Sequence, residues 1–308
     1  MSDPCELDPR AVRLQFARRV RRIADGDFLL REIERRMLER LELVRLEPER
    51  VLDVGTGLGH GAARLQQRYP RACVLGVDVA EPMAAQAARL HGASALRSLG
   101  ARMQRWFGGT PSAGAAPLFA AADAGGLPLA PSSVDLLWSN LAWHWFADPR
   151  AVLDEWQRVA RPGGLLMFSA FGVDTLREFR GLGVRLPPMH DLHDIGDALV
   201  GAGFAEPVMD AERLTVSWDD AAKLLRELRG LGGDALRGRR PGLRGRGAMA
   251  RWLAGIGSLA APDGRIPITF EIVYGHAWCP ARKRLPAGYA PVDFVAKRGE
   301  GPGRYPSE

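Results

Sequence analysis

The chain has 308 residues, of which 46% are apolar and 25% charged, as in ordinary globular proteins long enough to bury a full core. No apolar run approaches the ~20 residues that a membrane span needs, the N-terminus has no apolar signal segment, and three scattered cysteines disfavour a disulfide framework or zinc site. We therefore expect a cytoplasmic protein without a metal, and the net charge of +6 suggests an acidic partner.

Residues 1–47 are expected to form a helical extension. Apolar residues recur at three- and four-residue steps from Val12 to Leu41, and Asp25-Gly26-Asp27 divides this run into two helices. In a fold whose ligand lies at the carboxyl ends of the strands, such an extension either covers the site as a lid or packs against the sheet edge. The pattern leaves both possibilities open.

The central feature is a short apolar run, Val51 to Val54, followed by glycines at alternate positions: Gly55, Gly57 and Gly59. This predicts a buried parallel strand entering a tight turn, where positive φ angles and a bare backbone are needed. A second apolar run ends in Asp78, from which an acidic side chain would bind ribose hydroxyls. The spacing alone does not exclude NAD, because the dinucleotide fingerprint counted from Gly57 ends in a permitted alanine, Ala62.

Further strands follow in order. A helix is expected from residue 81, then an insertion at 92–117, then a strand at 118–122 that ends in Asp123. Val134 to Ser139 is predicted to be the fourth strand, next to the first, so that Asn140 and Leu141 lie at its carboxyl end. A helix at 151–160 and an Arg-Pro-Gly-Gly turn lead to a fifth strand at 165–171.

The last part of the chain is less regular. We expect a helix at about 193–202, a strand at 212–217 and a helical, basic insertion at 219–262. A long strand at 266–279 is predicted to form an antiparallel edge, and residues 281–308 are expected to form a flexible tail.

The segment DVGTGLG, in which Asp53 precedes the first glycine by two positions, resembles motif I of the class I S-adenosylmethionine methyltransferases. The resemblance implies an α/β Rossmann-like fold with a mostly parallel seven-stranded sheet, an antiparallel edge strand and a helical insertion. The cofactor domain would comprise residues 48–218 and 263–280. Carried over position by position, the cofactor-binding residues are Asp53, Gly55, Gly57, Gly59, Asp78, Asp123, Ala124, Asn140 and Leu141.

Later segments narrow the resemblance. SNLAWHWFADP, FGVDTLREFR, HDLHDIGDALVGAGFAEPVMD and IPITFEIVYGHAW are similar to segments of the malonyl-acyl-carrier-protein O-methyltransferases of biotin synthesis. Thr56 departs from the cysteine found in many relatives, and the insertion at 92–117 varies. Neither difference touches the implied chemistry, which is methyl transfer to the free carboxylate of a malonyl thioester.

A buried carboxylate substrate needs a cation that does not itself react, and arginine meets this need. Our first candidates are Arg177 and Arg180, just beyond the fifth strand, with Trp143 and His144 as orienting side chains. The partner would be an acyl carrier protein that bears malonyl-phosphopantetheine. Its phosphate or acidic helices would contact a basic cluster formed by Arg237, Arg239, Arg240, Arg244 and Arg246.

Two alternatives remain open. Complex I assembly factors associated with arginine hydroxylation share FGxDTL and DGxxPxTF stretches, which Asp263 to Phe270 also fits. An RNA methyltransferase would fit the arginine runs. It is disfavoured, however, because SNLAW is not the NPP[YF]-like motif that often follows the fourth strand in base-nitrogen methyltransferases.

Overall fold

The computed structural model describes residues 6–20, 22, 27–92, 116–182, 186–233, 235–237 and 245–281. Most of the expected 92–117 insertion, Arg239, Arg240 and Arg244, and the tail beyond residue 281 lie outside these ranges. The described helices are α1 (Pro9–Arg19), α2 (Phe28–Glu42), α3 (His60–Arg68), α4 (Glu81–His91), α5 (Pro149–Val159), α6 (Leu192–Gly201), α7 (Ala221–Leu231) and α8 (Arg246–Gly257). The strands are β1 (Arg50–Val54), β2 (Cys73–Asp78), β3 (Leu118–Ala121), β4 (Val134–Ser139), β5 (Ala160–Phe171), β6 (Ala205–Trp218) and β7 (Ile266–Trp278).

These strands form one sheet in the order β3-β2-β1-β4-β5-β7-β6. The pairs from β3 to β5 are parallel, whereas β7 is antiparallel to both of its neighbours. The predicted fold class is confirmed. The chain reverses its strand order between β1 and β4, and ligands of open α/β sheets bind at the carboxyl ends of the strands beside such a point.

One detail of the sheet differs from the prediction. The antiparallel strand expected at the edge lies one place inside it, because β6 covers its outer side from Ala205 to Trp218. We predicted this edge strand only at 212–217. Its residues alternate between half-buried and exposed, so they carry no continuous apolar run to mark the strand's length.

The inner strands are buried on both faces. Val51 of β1 packs in the layer formed with α2 and α3, and the next residue, Leu52, packs in the layer formed with α5 and α6. This is why β1 reads as an uninterrupted apolar run. Among the described helices, none combines the length and apolarity that crossing a bilayer requires.

The two N-terminal helices pack against the body of the fold. Apolar side chains of α1 contact Leu58, which follows β1, and Ala80, which follows β2. Helix α2 is anchored to β6 and β7, since Arg36 pairs with Glu212 and the Arg40 guanidinium lies 3.7 Å from the centroid of the Tyr274 ring. Helix α1 therefore lies near the carboxyl ends of β1 and β2, whereas α2 has only its first turn beside the carboxyl end of β4. Their role as a lid stays a prediction.

Candidate cofactor and substrate site

The turn after β1 has the backbone that the glycine spacing predicted. Gly55, Gly57 and Gly59 have φ angles of +74°, +53° and +80°. A β-carbon at Gly59 would lie 2.7 Å from the Phe119 ring and 2.9 Å from the Ala87 β-carbon. This position requires glycine for two reasons, because the left-handed conformation and the close packing both exclude a side chain.

Two buried carboxylates flank this turn. Asp53 is 3% exposed and accepts a hydrogen bond of 2.7 Å from the Thr56 hydroxyl. Asp78 accepts hydrogen bonds from the backbone N–H groups of Gly57 and Ala80, at 3.1 and 2.9 Å. Burial raises the pKa of Asp53 to about 7 and that of Asp78 to about 6. Each carboxylate would be stabilised by a cationic or hydrogen-bond-donating ligand.

A cavity opens beside Asp53, and helix α2 forms one wall of it. Its lining includes Asp53, Gly55, Gly57, Asn140, Trp138 and Glu34. Glu34 is only 4% exposed, and its Oε1 atom lies 3.1 Å from Arg64 Nε. Burial, followed by the nearby Asp53 charge, raises the pKa of Glu34 to about 7. Two buried acids thus share one cavity, an arrangement that favours a bound cation.

The remaining polar groups of the cavity include donors. The indole Nε1 of Trp138 is buried and donates no hydrogen bond within the described residues. Arg31 also lines the cavity, with its Nε 2.7 Å from Asp27 Oδ2 and its Nη2 3.1 Å from His60 Nε2. The cavity therefore offers carboxylates for an ammonium group and a guanidinium for a carboxylate.

The carboxyl end of β4 is fixed by hydrogen bonds. Asn140 Nδ2 donates to the Leu30 carbonyl of α2 at 2.9 Å, and Asn140 Oδ1 accepts from the Ser169 hydroxyl at 2.8 Å. Leu141 has a φ of +49°, and its N–H donates to Ser169. These hydrogen bonds connect the turn after β4 to helix α2, a contact that the sequence did not indicate.

The aromatic segment after β4 divides between the core and the contact with α1. Trp143 is 2% exposed and stacks on Phe168 at a centroid distance of 5.3 Å, so it is a core residue. His144 is also buried, and burial lowers its pKa to about 3, so it remains neutral. Trp145 instead meets Phe16 of α1 edge to face at 5.3 Å. Trp143 and His144, our predicted orienting side chains, are thus both buried, and Trp145 is the residue that contacts α1.

The predicted adenine-side residues follow β3. Asp123 is exposed, and its Oδ1 accepts a hydrogen bond of 2.9 Å from the Gly125 N–H. Ala124 is half-buried. β3 pairs with β2 so that Ala121 lies opposite Asp78, which brings Asp123 to the same edge of the sheet as the glycine turn.

Neither Arg177 nor Arg180 lines the cavity. Their side chains are 51% and 58% exposed. Arg177 lies 3.5 Å from Glu178, and Arg180 lies 3.8 Å from Asp174 and donates to the Val173 carbonyl. Both occur in a 3-10 helix, Arg177–Leu182, that packs against α8 and β7. Our two first candidates for the substrate carboxylate are therefore surface residues with acidic neighbours.

Only part of the predicted carrier-binding cluster is described. Arg237 pairs with Glu6 at 3.6 Å and donates to the Leu7 carbonyl, while Arg246 is an exposed residue at the start of α8. Arg239, Arg240 and Arg244 lie outside the described residues. No group of three His, Cys, Asp or Glu side chains in the described ranges is arranged to hold a metal ion.

Comparison with known proteins identifies the family. Residues 52–168 match the methyltransferase domain family. The chain is 42% identical to malonyl-(acyl-carrier protein) O-methyltransferase of Methylovorus sp. (strain MP688), over 95% of this chain and 97% of the relative. It is also 42% identical to the enzyme of the same name from Gallionella capsiferriformans (strain ES-2), over 89% of this chain and 92% of the relative.

The chain belongs to the malonyl-(acyl-carrier protein) O-methyltransferase family. It is therefore an S-adenosylmethionine-dependent methyltransferase, as the sequence predicted. Among solved structures, YcgJ of Bacillus subtilis has a TM-score of 0.54 at 15% identity, covering 79% of this chain and 97% of that chain. At this identity the likeness supports the fold alone.

Our sequence-based predictions did not include the residues that α2 contributes to the cavity. Glu34 could have been noticed, because it falls in the apolar stripe of α2 between Ile33 and Met37, all three of which are buried. An acidic residue on the buried face of an amphipathic helix indicates a specific partner. Arg31 carried no comparable indication.

Proposed function

We propose that this enzyme transfers the methyl group of S-adenosylmethionine to the free carboxylate of a malonyl group carried on an acyl carrier protein. The observation that carries this proposal is the near full-length similarity to relatives of that name. The product is a methyl ester, and the step would belong to biotin synthesis. Similar relatives with this name favour it over the arginine-hydroxylase and RNA-methyltransferase alternatives.

The cofactor site is built for a zwitterion. The glycine turn offers close backbone approach, Asp78 would accept hydrogen bonds from ribose hydroxyls, and Asp123 with Ala124 would bind the adenine edge. We infer that Asp53 and Glu34 bind the ammonium of the methionine part and that Arg31 binds its carboxylate. Asn140 lines the cavity at the end of β4. This assignment accounts for the two buried acids that line the cavity.

The chemistry requires little from side chains beyond binding and orientation. When bound, S-adenosylmethionine supplies a methyl group on a positively charged sulfur. The acceptor carboxylate would take up this methyl group as an ester, and the electron pair of the broken S–C bond would stay on sulfur. A carboxylate is ionised at neutral pH, so no general base is needed. The protein contributes alignment and the exclusion of water.

Growth rescue tests the proposal in a cell. The gene should restore growth without biotin to a bacterial strain that lacks its own malonyl-carrier methyltransferase. The Asp53→Asn variant, expressed to the same level, should restore growth poorly because the cofactor ammonium loses a charged partner. Failure of the well-expressed wild-type chain to rescue growth would count against the proposed substrate.

A further inference from the structure

Two side chains on α1 have buried donor atoms that find no acceptor among the described residues. Gln15 and Arg19 are four positions apart and so lie on the same face of the helix. Gln15 Oε1 accepts a hydrogen bond of 2.9 Å from the Gly233 N–H. The Nε2 atom of Gln15 and the Nη1 atom of Arg19 are buried, and neither has a hydrogen-bond partner in the described part of the chain. Buried donors of this kind are rare in folded proteins, because they have lost water without gaining an acceptor.

The charge around Arg19 is unbalanced as well. Burial, followed by the like charge of Arg229, lowers the pKa of Arg19 to about 10, which still leaves the guanidinium charged at neutral pH. The ion pairs of Arg177, Arg180 and Arg237 with acidic neighbours contrast with this. An anion bound beside Arg19 would relieve the unfavourable burial of its charge.

The position of this face relates it to the cofactor cavity. Phe16, between Gln15 and Arg19 in sequence, meets Trp145 in the turn after β4. The same Phe16 packs toward Leu58, which lies in the glycine turn and also lines the cavity. Arg19 does not itself line the cavity, but it lies on a helix that contacts both the glycine turn and the turn after β4.

Glycines 232 and 233 allow this close approach. A β-carbon at Gly233 would overlap the Arg19 guanidinium, and one at Gly232 would overlap the Trp145 indole. Gly232 has a φ of +158°. The backbone here packs directly on both side chains, so Arg19, Gln15 and Trp145 are held around one small region.

We propose that Arg19 and Gln15 bind the free carboxylate of the methyl acceptor. This inference rests on the proposed function and names the residues that select a charged acyl group. A guanidinium and an amide N–H suit a carboxylate, which only accepts hydrogen bonds, and neither competes as a nucleophile for the methyl group. Methylation removes the charge, so the ester product is held less strongly at this point than the substrate.

The test measures discrimination between charged and uncharged acyl groups. Malonyl-carrier and acetyl-carrier protein would be titrated separately into the wild type and into Arg19→Met, each saturated with S-adenosylhomocysteine. We expect the wild type to prefer malonyl by about 10-fold or more, the range for a hydrogen-bonded charge pair. Arg19→Met should reduce the preference to within about 2-fold, and Gln15→Leu should give an intermediate value.

Matched controls separate recognition from folding. Arg18→Met removes an exposed arginine from the same helix and should keep the wild-type preference. In Arg19→Met, S-adenosylhomocysteine affinity should be unchanged and the melting temperature should not fall, because the variant removes a buried charge that has no anionic partner among the described residues. If that variant does not fold, Arg19→Lys, which keeps the charge without the planar fork, should retain only part of the preference.

Failure of the inference and failure of the proposed function give different results. An Arg19→Met enzyme that keeps the full malonyl preference overturns the inference and leaves the proposed function intact. Equal losses of malonyl, acetyl and cofactor binding also overturn it, because they indicate a structural role. A wild type that neither prefers nor methylates malonyl-carrier protein contradicts the proposed function itself.

Discussion

The two halves of the site differ in how the chain builds them. The proposed cofactor half is assembled from the ends of adjacent strands, with Asp53, the glycine turn and Asp78 within one β-α-β unit. The proposed substrate half instead joins α1, the turn after β4 and residues 232–233, which are far apart in sequence. When a site lies within one short segment, the spacing of its residues in the sequence indicates the ligand. When a site joins distant segments, the ligand can be inferred only from buried side chains and unpaired polar atoms in the folded chain.

The largest expected effect is at the glycine turn. Gly59→Ala should weaken S-adenosylhomocysteine binding by about 100-fold, because a left-handed alanine costs ~1–2 kcal/mol and its β-carbon would also overlap Phe119. Isothermal titration calorimetry measures this. The matched control is Gly264→Ala, which has a φ of +79° and open space around it, and its affinity should stay within about 2-fold. Equal affinities for the two variants would show that the close packing at Gly59 is unimportant.

The next effect tests the buried acids. Asp53→Asn and Glu34→Gln should each weaken S-adenosylhomocysteine binding by about 10- to 100-fold, since each removes a charged partner from the ligand ammonium. Binding of methylthioadenosine, which lacks the amino-acid part, should change little in the same calorimetric assay. A parallel loss for both ligands would mean that the acids act on the shape of the cavity rather than on the ammonium.

The pH dependence gives a smaller effect with a definite sign. An ammonium favours the ionised acids, so S-adenosylhomocysteine affinity should rise between about pH 5.5 and 7.5 as Asp53 and Glu34, with raised pKa values of about 7, lose their protons. The same raised pKa values make the unliganded protein less stable as pH rises from about 4 to about 7, because the folded state binds more protons than the unfolded state. Titrations and thermal melts across this range measure both trends. A pH-independent affinity would contradict the assignment.

The smallest effects are expected at the surface arginines. Arg177→Ala and Arg180→Ala should each change KM for malonyl-carrier protein by less than about 3-fold, because both side chains are exposed and lie beside acids. Steady-state kinetics with saturating cofactor measures this. A loss above 10-fold in either variant would restore our sequence-based candidates and weaken the case for Arg19.

The sequence predicted those parts of the fold that are marked by continuous apolar runs and by regularly spaced glycines. The apolar runs and the glycine spacing located β1, β2, β4 and their turns, because strands buried on both faces read continuously. The edge strand β6 was placed only in part, since its exposed face interrupts the apolar pattern. The position of β7 inside the edge could not be read from its residues, because sheet order depends on pairing between distant segments.

The site divides in the same way. Asp53, Gly55, Gly57 and Asn140 line one cavity, as their positions at strand ends suggested. Arg177 and Arg180 were chosen for charge and position alone, and charge does not indicate burial. Arg19 is an arginine too, but its Nη1 atom is buried because α1 packs against Trp145 and against the backbone of residues 232–233. That packing joins distant segments, so the sequence alone does not show it.

The most direct test of the central claim is mass spectrometry of malonyl-carrier protein incubated with the enzyme and S-adenosylmethionine. We expect a gain of one methyl group on the malonyl arm, with none on acetyl-carrier protein, which has no free carboxylate. No transfer to malonyl-carrier protein by an enzyme that binds the cofactor tightly would contradict the account.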